Sequence, residues 1–355
     1  GATDDEDMKQ ECAMAITRLA MDVSCCEKII QQGAISAIVA MARSGFEDVA
    51  TGRMCAAALR QLCIAGQEHE LIEKTVLTDA VKALVNLISK DAPTNQVCAQ
   101  TLCTLFQQPS AVDGMIKLGA LDAVVKLAAT GARDDAGTGN WCALAMYNLS
   151  VHAAFVIEML VRGAQQALVT LCDLDDAATA APGAAVSIRR KCAAALWNMT
   201  RTDDARIDAA LLIPALIALL RHESDTIVKG DAAAALYNLA FDAANCQRML
   251  KEGALQPIVS LSRSGSVTTK IQCGAILSRL SFQSSDPELK RAMLSAEFIA
   301  SLLELARLDH RATQQRAIFA IVNLTYERGA HALLLGAGGG GGAGGGLAVG
   351  SGAAA

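Results

Sequence analysis

The sequence predicts an all-α chain of stacked helical units, and three observations carry that prediction. One helical phrase recurs roughly every 40 to 50 residues, closing on Leu19, Leu62, Leu105, Leu149, Met199, Leu239, Leu280 and Leu324. Taking each of these residues as an anchor, the positions three, four and seven before it are apolar or small in nearly every copy, as in Cys192, Ala195, Leu196 and Met199. That spacing lays one stripe along an α-helix. A half-buried strand would instead need alternation with a period of two, and none is sustained.

A second phrase separates the copies. It begins at Gly33, Gly119, Gly163 and Gly253, with weaker versions near Thr78, Leu211 and Glu297. Glycine can take the left-handed conformation that closes one helix, and the apolar residues that follow open the next. Short amphipathic segments lie just upstream, around Ile29, Val156 and Met249. Each unit therefore reads as a short helix, a glycine bend, a second helix, a polar turn and a longer third helix.

The Gly-Ala-Ile/Leu bend and the Ala-Leu-x-Asn-Leu third helix together resemble the armadillo repeat over nearly all of residues 8–335. The resemblance implies a right-handed α-solenoid, a superhelix of about eight repeats spanning 1–335, with the first and last incomplete. Residues 336–355 are rich in Gly and Ala and read as a tail or linker. Both ends of the array look unfinished, which leads us to expect a segment of a longer solenoid. Extra residues at 173–185 and 130–140 are expected to be loops between second and third helices.

Composition narrows the function. The net charge is −5, with no basic stripe for nucleic acid and no apolar run long enough to span a bilayer. The chain has 12 cysteines, and Cys12, Cys55, Cys98, Cys142, Cys192 and Cys273 all fall seven before an anchor. They are expected to be small buried hydrophobes rather than disulfides or zinc ligands, which points to a reducing, intracellular and cytoplasmic setting. His69, His152, His222, His310 and His331 are scattered over different repeats. With no nucleophile, phosphate-loop, metal or cofactor motif, the expectation is a non-enzymatic protein without cofactors. Asn148-Leu-Ser, Asn198-Met-Thr and Asn323-Leu-Thr satisfy the glycosylation pattern, but they fall inside the helical phrase and are not read as glycosylation sites.

The resemblance also implies a site. In armadillo proteins the residue before each anchor faces a concave groove, where asparagine amides bond an extended peptide. Here that column reads Arg18, Gln61, Thr104, Asn148, Asn198, Asn238, Arg279 and Asn323. Seven residues earlier, nearly two turns along the same face, stand Trp141, Lys191, Asp231 and Arg316 among others. The candidate partner-binding groove is therefore Asn148, Asn198, Asn238, Asn323, Trp141, Lys191, Arg279 and Arg316. The alternative for the asparagines is a bond to a neighbouring helix. Import adaptors carry tryptophan four residues before each groove asparagine, where this chain has Leu144, Ala194, Ala234 and Phe319. The expected function is a protein-interaction scaffold serving as a structural part of a cytoskeletal or ciliary multi-protein assembly, the alternative being a peptide-groove adaptor in signalling or trafficking. The expected partner is a protein or extended peptide.

Overall fold

The computed structural model describes residues 2–43, 49–68, 74–88, 91–130, 135–174, 183–202, 204, 207–283, 290 and 293–326, and among them every regular element is a helix. The chain divides into two compact units, Gly1–Leu239 and Ala240–Ala355. Most of the two loop insertions' central residues, 131–134 and 175–182, and the whole 336–355 tail lie outside the described residues.

In the first unit the chain runs through α1 (Ala2–Ala20), α2 (Val23–Gln31), α3 (Ala34–Arg43), α4 (Val49–Glu68) and α5 (Lys74–Leu87). It continues through α6 (Ala92–Leu105), α7 (Pro109–Lys117), α8 (Ala120–Thr130), α9 (Ala136–Ser150) and α10 (Ala153–Val161). It ends with α11 (Ala164–Cys172), α12 (Ala184–Thr200), α13 (Ala209–His222) and α14 (Thr226–Leu239). The third helices α1, α4, α6, α9, α12 and α14 pack in succession, while α3, α5, α8, α11 and α13 make a second row. The second unit holds α15 (Ala243–Lys251), α16 (Leu255–Ser264), α17 (Val267–Gln283), α18 (Ala296–Ala306) and α19 (Arg311–Thr325). There α17 packs on α19 and α16 on α18.

The predicted bends are where the sequence put them. Gly33, Gly119, Gly163 and Gly253 have φ of 87°, 87°, 77° and 75°, in the region that a side-chain Cβ disfavours. Three helices per unit are complete in α2–α4, α7–α9, α10–α12 and α15–α17. Between α12 and α13 the described residues Asp204, Ile207 and Asp208 are not helical, because this connection is too short to hold a helix and a turn.

The anchor stripe forms the core from the second copy to the seventh: Cys98, Thr101, Leu102 and Leu105 are all buried, as are Cys192, Ala195, Leu196 and Met199, while in the eighth Ile321 is half-buried. The first copy departs from the expectation. Cys12 is exposed and Leu19 is 46% exposed, whereas Ala13 and Ala20 are buried. In later units the second helix covers the stripe, as α8 covers α9 and α11 covers α12. In the first copy α1 packs chiefly on α4, with smaller contacts to α2 and α3.

A column that sequence reading passed over starts the third helices. Fourteen residues before the anchor stand Asp91, Asp135, Asp225, Ser266 and His310. Each accepts from a backbone N–H of the following turn: Thr94, Thr138, Val228, Thr269 and Thr313 respectively. These are N-caps, satisfying donors that the helix itself cannot. Arg53 and Arg190, each one repeat earlier, clasp Asp91 and Asp225 and hold both carboxyls below the usual carboxylate range. The cap of one repeat is thus tied to the third helix of the one before.

Candidate functional site

The third-helix face of the first unit brings Asn148, Asn198 and Asn238 onto three adjacent helices, α9, α12 and α14, each half-buried. Their amides are not idle. Asn198 Nδ2 donates to Ser150 Oγ at 3.1 Å, and Asn238 Nδ2 donates to Thr200 Oγ1 at 3.2 Å. Each of these hydroxyls in turn donates to a carbonyl of its own helix, Tyr147 O at 2.7 Å and Trp197 O at 2.9 Å. With its proton spent there, the hydroxyl oxygen is left as an acceptor for the next repeat's amide. Asn148 follows Phe106, which offers no side-chain acceptor, and its Nδ2 instead makes a 3.9 Å contact to Cys103 Sγ.

Where an alanine occupies the hydroxyl position, a longer side chain reaches the backbone. Gln61 donates to Ala20 O at 3.4 Å, and in the second unit Arg279 donates to Ala240 O at 3.1 Å. The column before the anchor therefore bonds back to the preceding repeat, the neighbouring-helix alternative. One amide N–H serves this brace. Among the described residues no further partner holds the Oδ1 of Asn148, Asn198 or Asn238, so each amide keeps an acceptor and a second donor unspent.

The sequence signal for the hydroxyls was present in the three glycosylation-like triplets. Their third residues, Ser150, Thr200 and Thr325, each donate to a carbonyl three residues back. Ser150 and Thr200 are the acceptors just described. Read along the chain, the triplet suggests glycan attachment; read across repeats, it is a polar tie.

Seven residues before these asparagines, Trp141 and Lys191 are half-buried on α9 and α12. Lys191 Nζ donates to Asn140 Oδ1 at 2.9 Å, Ser187 Oγ at 2.7 Å and Ser187 O at 3.2 Å. Burial pulls its pKa below the ordinary lysine value. It is a held cation between two repeats rather than a reaching one. On α14 Asp231 takes the same position, and burial, reinforced by Asp225, raises its carboxyl to about 6.

The remaining candidates lie in the second unit: Arg279 on α17, with Arg316 and Asn323 on α19. The Arg279 guanidinium lies 3.4 Å from the Phe241 ring centroid. Beside it Phe241, Phe282, Phe319 and Asn323 line a groove of about 390 Å³. Phe241 and Phe282 both fall two residues past an anchor, so successive repeats bring them to the same place.

A polar cavity of about 350 Å³ in the first unit, lined in part by Asp173, Arg189, His222 and Glu223, answers to a brace. Arg189 Nε donates to Glu223 Oε2 at 2.5 Å and its NH1 to Leu174 O at 3.0 Å. The other Glu223 oxygen accepts from the Ser224 and Asp225 backbone N–H groups. Burial opposes the Glu223 charge, yet these donors keep its pKa lowered.

No family model and no curated protein sequence matches the chain. Solved structures do. A crystal structure of an engineered protein is 26% identical with a TM-score of 0.53, over 70% of this chain and 99% of that one. Computationally designed armadillo repeat proteins for modular peptide recognition give 21% identity and a TM-score of 0.54, over 68% and 98%. A structure concerning a phosphorylation switch in the interaction between cadherin and beta-catenin gives 16% and 0.69, over 90% of this chain and 61% of that one. At such identities the likeness to the last two establishes the fold.

Proposed function

We propose that this chain, an armadillo-repeat solenoid by its fold, is a non-enzymatic protein-interaction scaffold that holds an extended segment of a partner along its third-helix face. The observation that carries this reading is the amide column Asn148, Asn198 and Asn238 on three adjacent helices. In Asn198 and Asn238 one N–H is committed to the preceding repeat, which fixes the plane of the amide. A preset amide matches the alternating donors and acceptors of a peptide backbone without losing further rotamer freedom. Designed proteins of the same fold are made for modular peptide recognition, which supports the same use here.

The finer setting is also a proposal. We favour a cytoplasmic peptide-groove adaptor over a structural part of a cytoskeletal or ciliary assembly, because the preset amides suit one extended ligand. Imaging the tagged chain separates the two: steady enrichment on microtubules or axonemes would favour the assembly role.

The binding test starts from a partner captured by affinity purification. Trp141→Ala with Asn148→Ala, Asn198→Ala and Asn238→Ala should weaken that partner by about tenfold or more. These changes also remove the inter-repeat ties, so a second variant, Ser150→Ala with Thr200→Val, breaks the ties alone. It should fall between the parent and the quadruple variant, because the contacting amides remain but are no longer preset. Parent-like affinity in the quadruple variant, with circular dichroism unchanged, would place recognition elsewhere.

A further inference from the structure

The second unit offers a face of different chemistry. Only seven phenylalanines occur in the chain, and three of them, Phe241, Phe282 and Phe319, stand 63%, 73% and 64% exposed around one groove. Large apolar side chains gathered in the open mark an interaction patch, because folding gains nothing from leaving them wet. Arg279 forms part of the wall, its guanidinium carbon over the Phe241 ring. Arginine can stack on a ring and still offer its N–H edge to a carboxylate.

Charge identifies what the patch accepts. The third helices α17 and α19 carry Lys270, Arg279, Arg311 and Arg316, and neither helix contains an Asp or Glu. The corresponding helices of the first unit differ: α9 has no charged residue, and on α12 Arg189 and Arg190 pair with Glu223 and Asp225. Arg316 lies three residues before Phe319, one helical turn from the aromatic wall. A cation therefore stands beside the groove along the helix, as well as within its wall.

We propose that this groove receives an acidic segment of a partner protein, with an aromatic or aliphatic side chain seated among Phe241, Phe282 and Phe319 and its flanking carboxylates against Arg279 and Arg316. The inference rests on the third-helix-face reading and adds the partner's chemical class. A basic segment is disfavoured, since its cations would approach Arg279 and Arg316, while Asp242, next to Phe241, is engaged as the N-cap of α15.

The test is selection of a displayed library of random peptides on the full chain, followed by affinity measurement with the enriched sequences made synthetically. Enriched peptides should carry an aromatic or large aliphatic residue flanked by Asp or Glu. Their affinity should fall about tenfold in Phe282→Ser with Phe319→Ser. A similar fall is expected in Arg279→Gln with Arg316→Gln, along with loss of the salt dependence. The substituted phenylalanines are exposed, so circular dichroism should not change. Basic enriched sequences, an empty selection, or affinity unmoved by both double variants would overturn the proposal. Enrichment of uncharged or basic peptides whose binding depends on Asn148, Asn198 and Asn238 would overturn it while leaving the first-unit groove standing. Parent-like binding in that asparagine variant, with acidic apolar peptides still lost in the phenylalanine variant, would do the reverse.

Discussion

Cys98, Cys142, Cys192 and Cys273 are sealed from solvent at the same place in four repeats. Burial pushes the Cys98 and Cys273 thiols up to about 12 and raises those of Cys142 and Cys192 as well. Only the thiolate reacts readily, so the column is chemically quiet. Cys12 is the exception, exposed on α1. Alkylation of the native protein should therefore mark Cys12 early and reach Cys98, Cys142 and Cys192 only on denaturation. Fast labelling of those three in the folded protein would contradict the packing described. A second residue prediction concerns Asp231, whose carboxyl moves from 3.8 to about 6 on folding, chiefly through burial. Between those values the native state binds more protons than the unfolded one, so stability falls as pH rises through that window. The full penalty is present above it. Asp231→Asn should stabilise the protein at neutral pH by on the order of 1 kcal/mol, discounted for partial exposure, and the gain should vanish below about pH 4. Urea unfolding at neutral and acid pH measures it, and an equal gain at both would reject this account.

At the scale of the helix, the caps show why some features were legible in the sequence and others were not. Third helices and glycine bends repeat the same residue types, so Leu102, Met146 and Leu236, or Gly119 and Gly163, announce themselves by spacing. The cap column does not, because Asp135, Ser266 and His310 meet one geometric need with three chemistries. Its companion three residues on is Thr94, Thr138, Thr269 or Thr313 in some repeats and Ile188 or Val228 in others, all buried. That mixture hides the column from a search for identity, though β-branched shape unites it. The asparagine column was visible for the opposite reason, and the hydroxyls stand in the Asn-x-Ser/Thr triplets, but the pairing does not show, because Asn198 and Asn238 reach Ser150 and Thr200 one repeat back. The caps also give a clean test. Asp135→Ala should cost about 1 kcal/mol through loss of the bonds to Gly137 and Thr138. Thr138→Val should cost less, since valine already fills the equivalent place as Val228. Chemical denaturation of both variants compares them, and a larger loss for Thr138→Val would show that the hydroxyl, not the carboxylate, starts α9.

The first unit as a whole is a succession in which α6 meets α9, α9 meets α12 and α12 meets α14, with each tie made only to a neighbour. Cooperativity in such an array comes from interfaces between adjacent repeats, so damage should decay with distance along it. Leu236 tests this because it is completely buried in α14. Leu236→Ala should cost about 2 to 5 kcal/mol, the lost transfer energy plus the cavity left in a tight aliphatic core. Native-state hydrogen exchange then shows where that loss is felt. Amides of α12, α13 and α14 should exchange faster, while those of α6 and α8 keep their protection. The reciprocal variant, Leu102→Ala in α6, should loosen α4, α6 and α9 and spare α14. A globular core would behave differently, since either cavity would lower the free energy of one common unfolding event. If both substitutions accelerate exchange equally from α4 to α14, the repeats are not acting as nearest-neighbour units. Two displaced zones of lost protection, each centred on its own cavity, are what stacked repeats require.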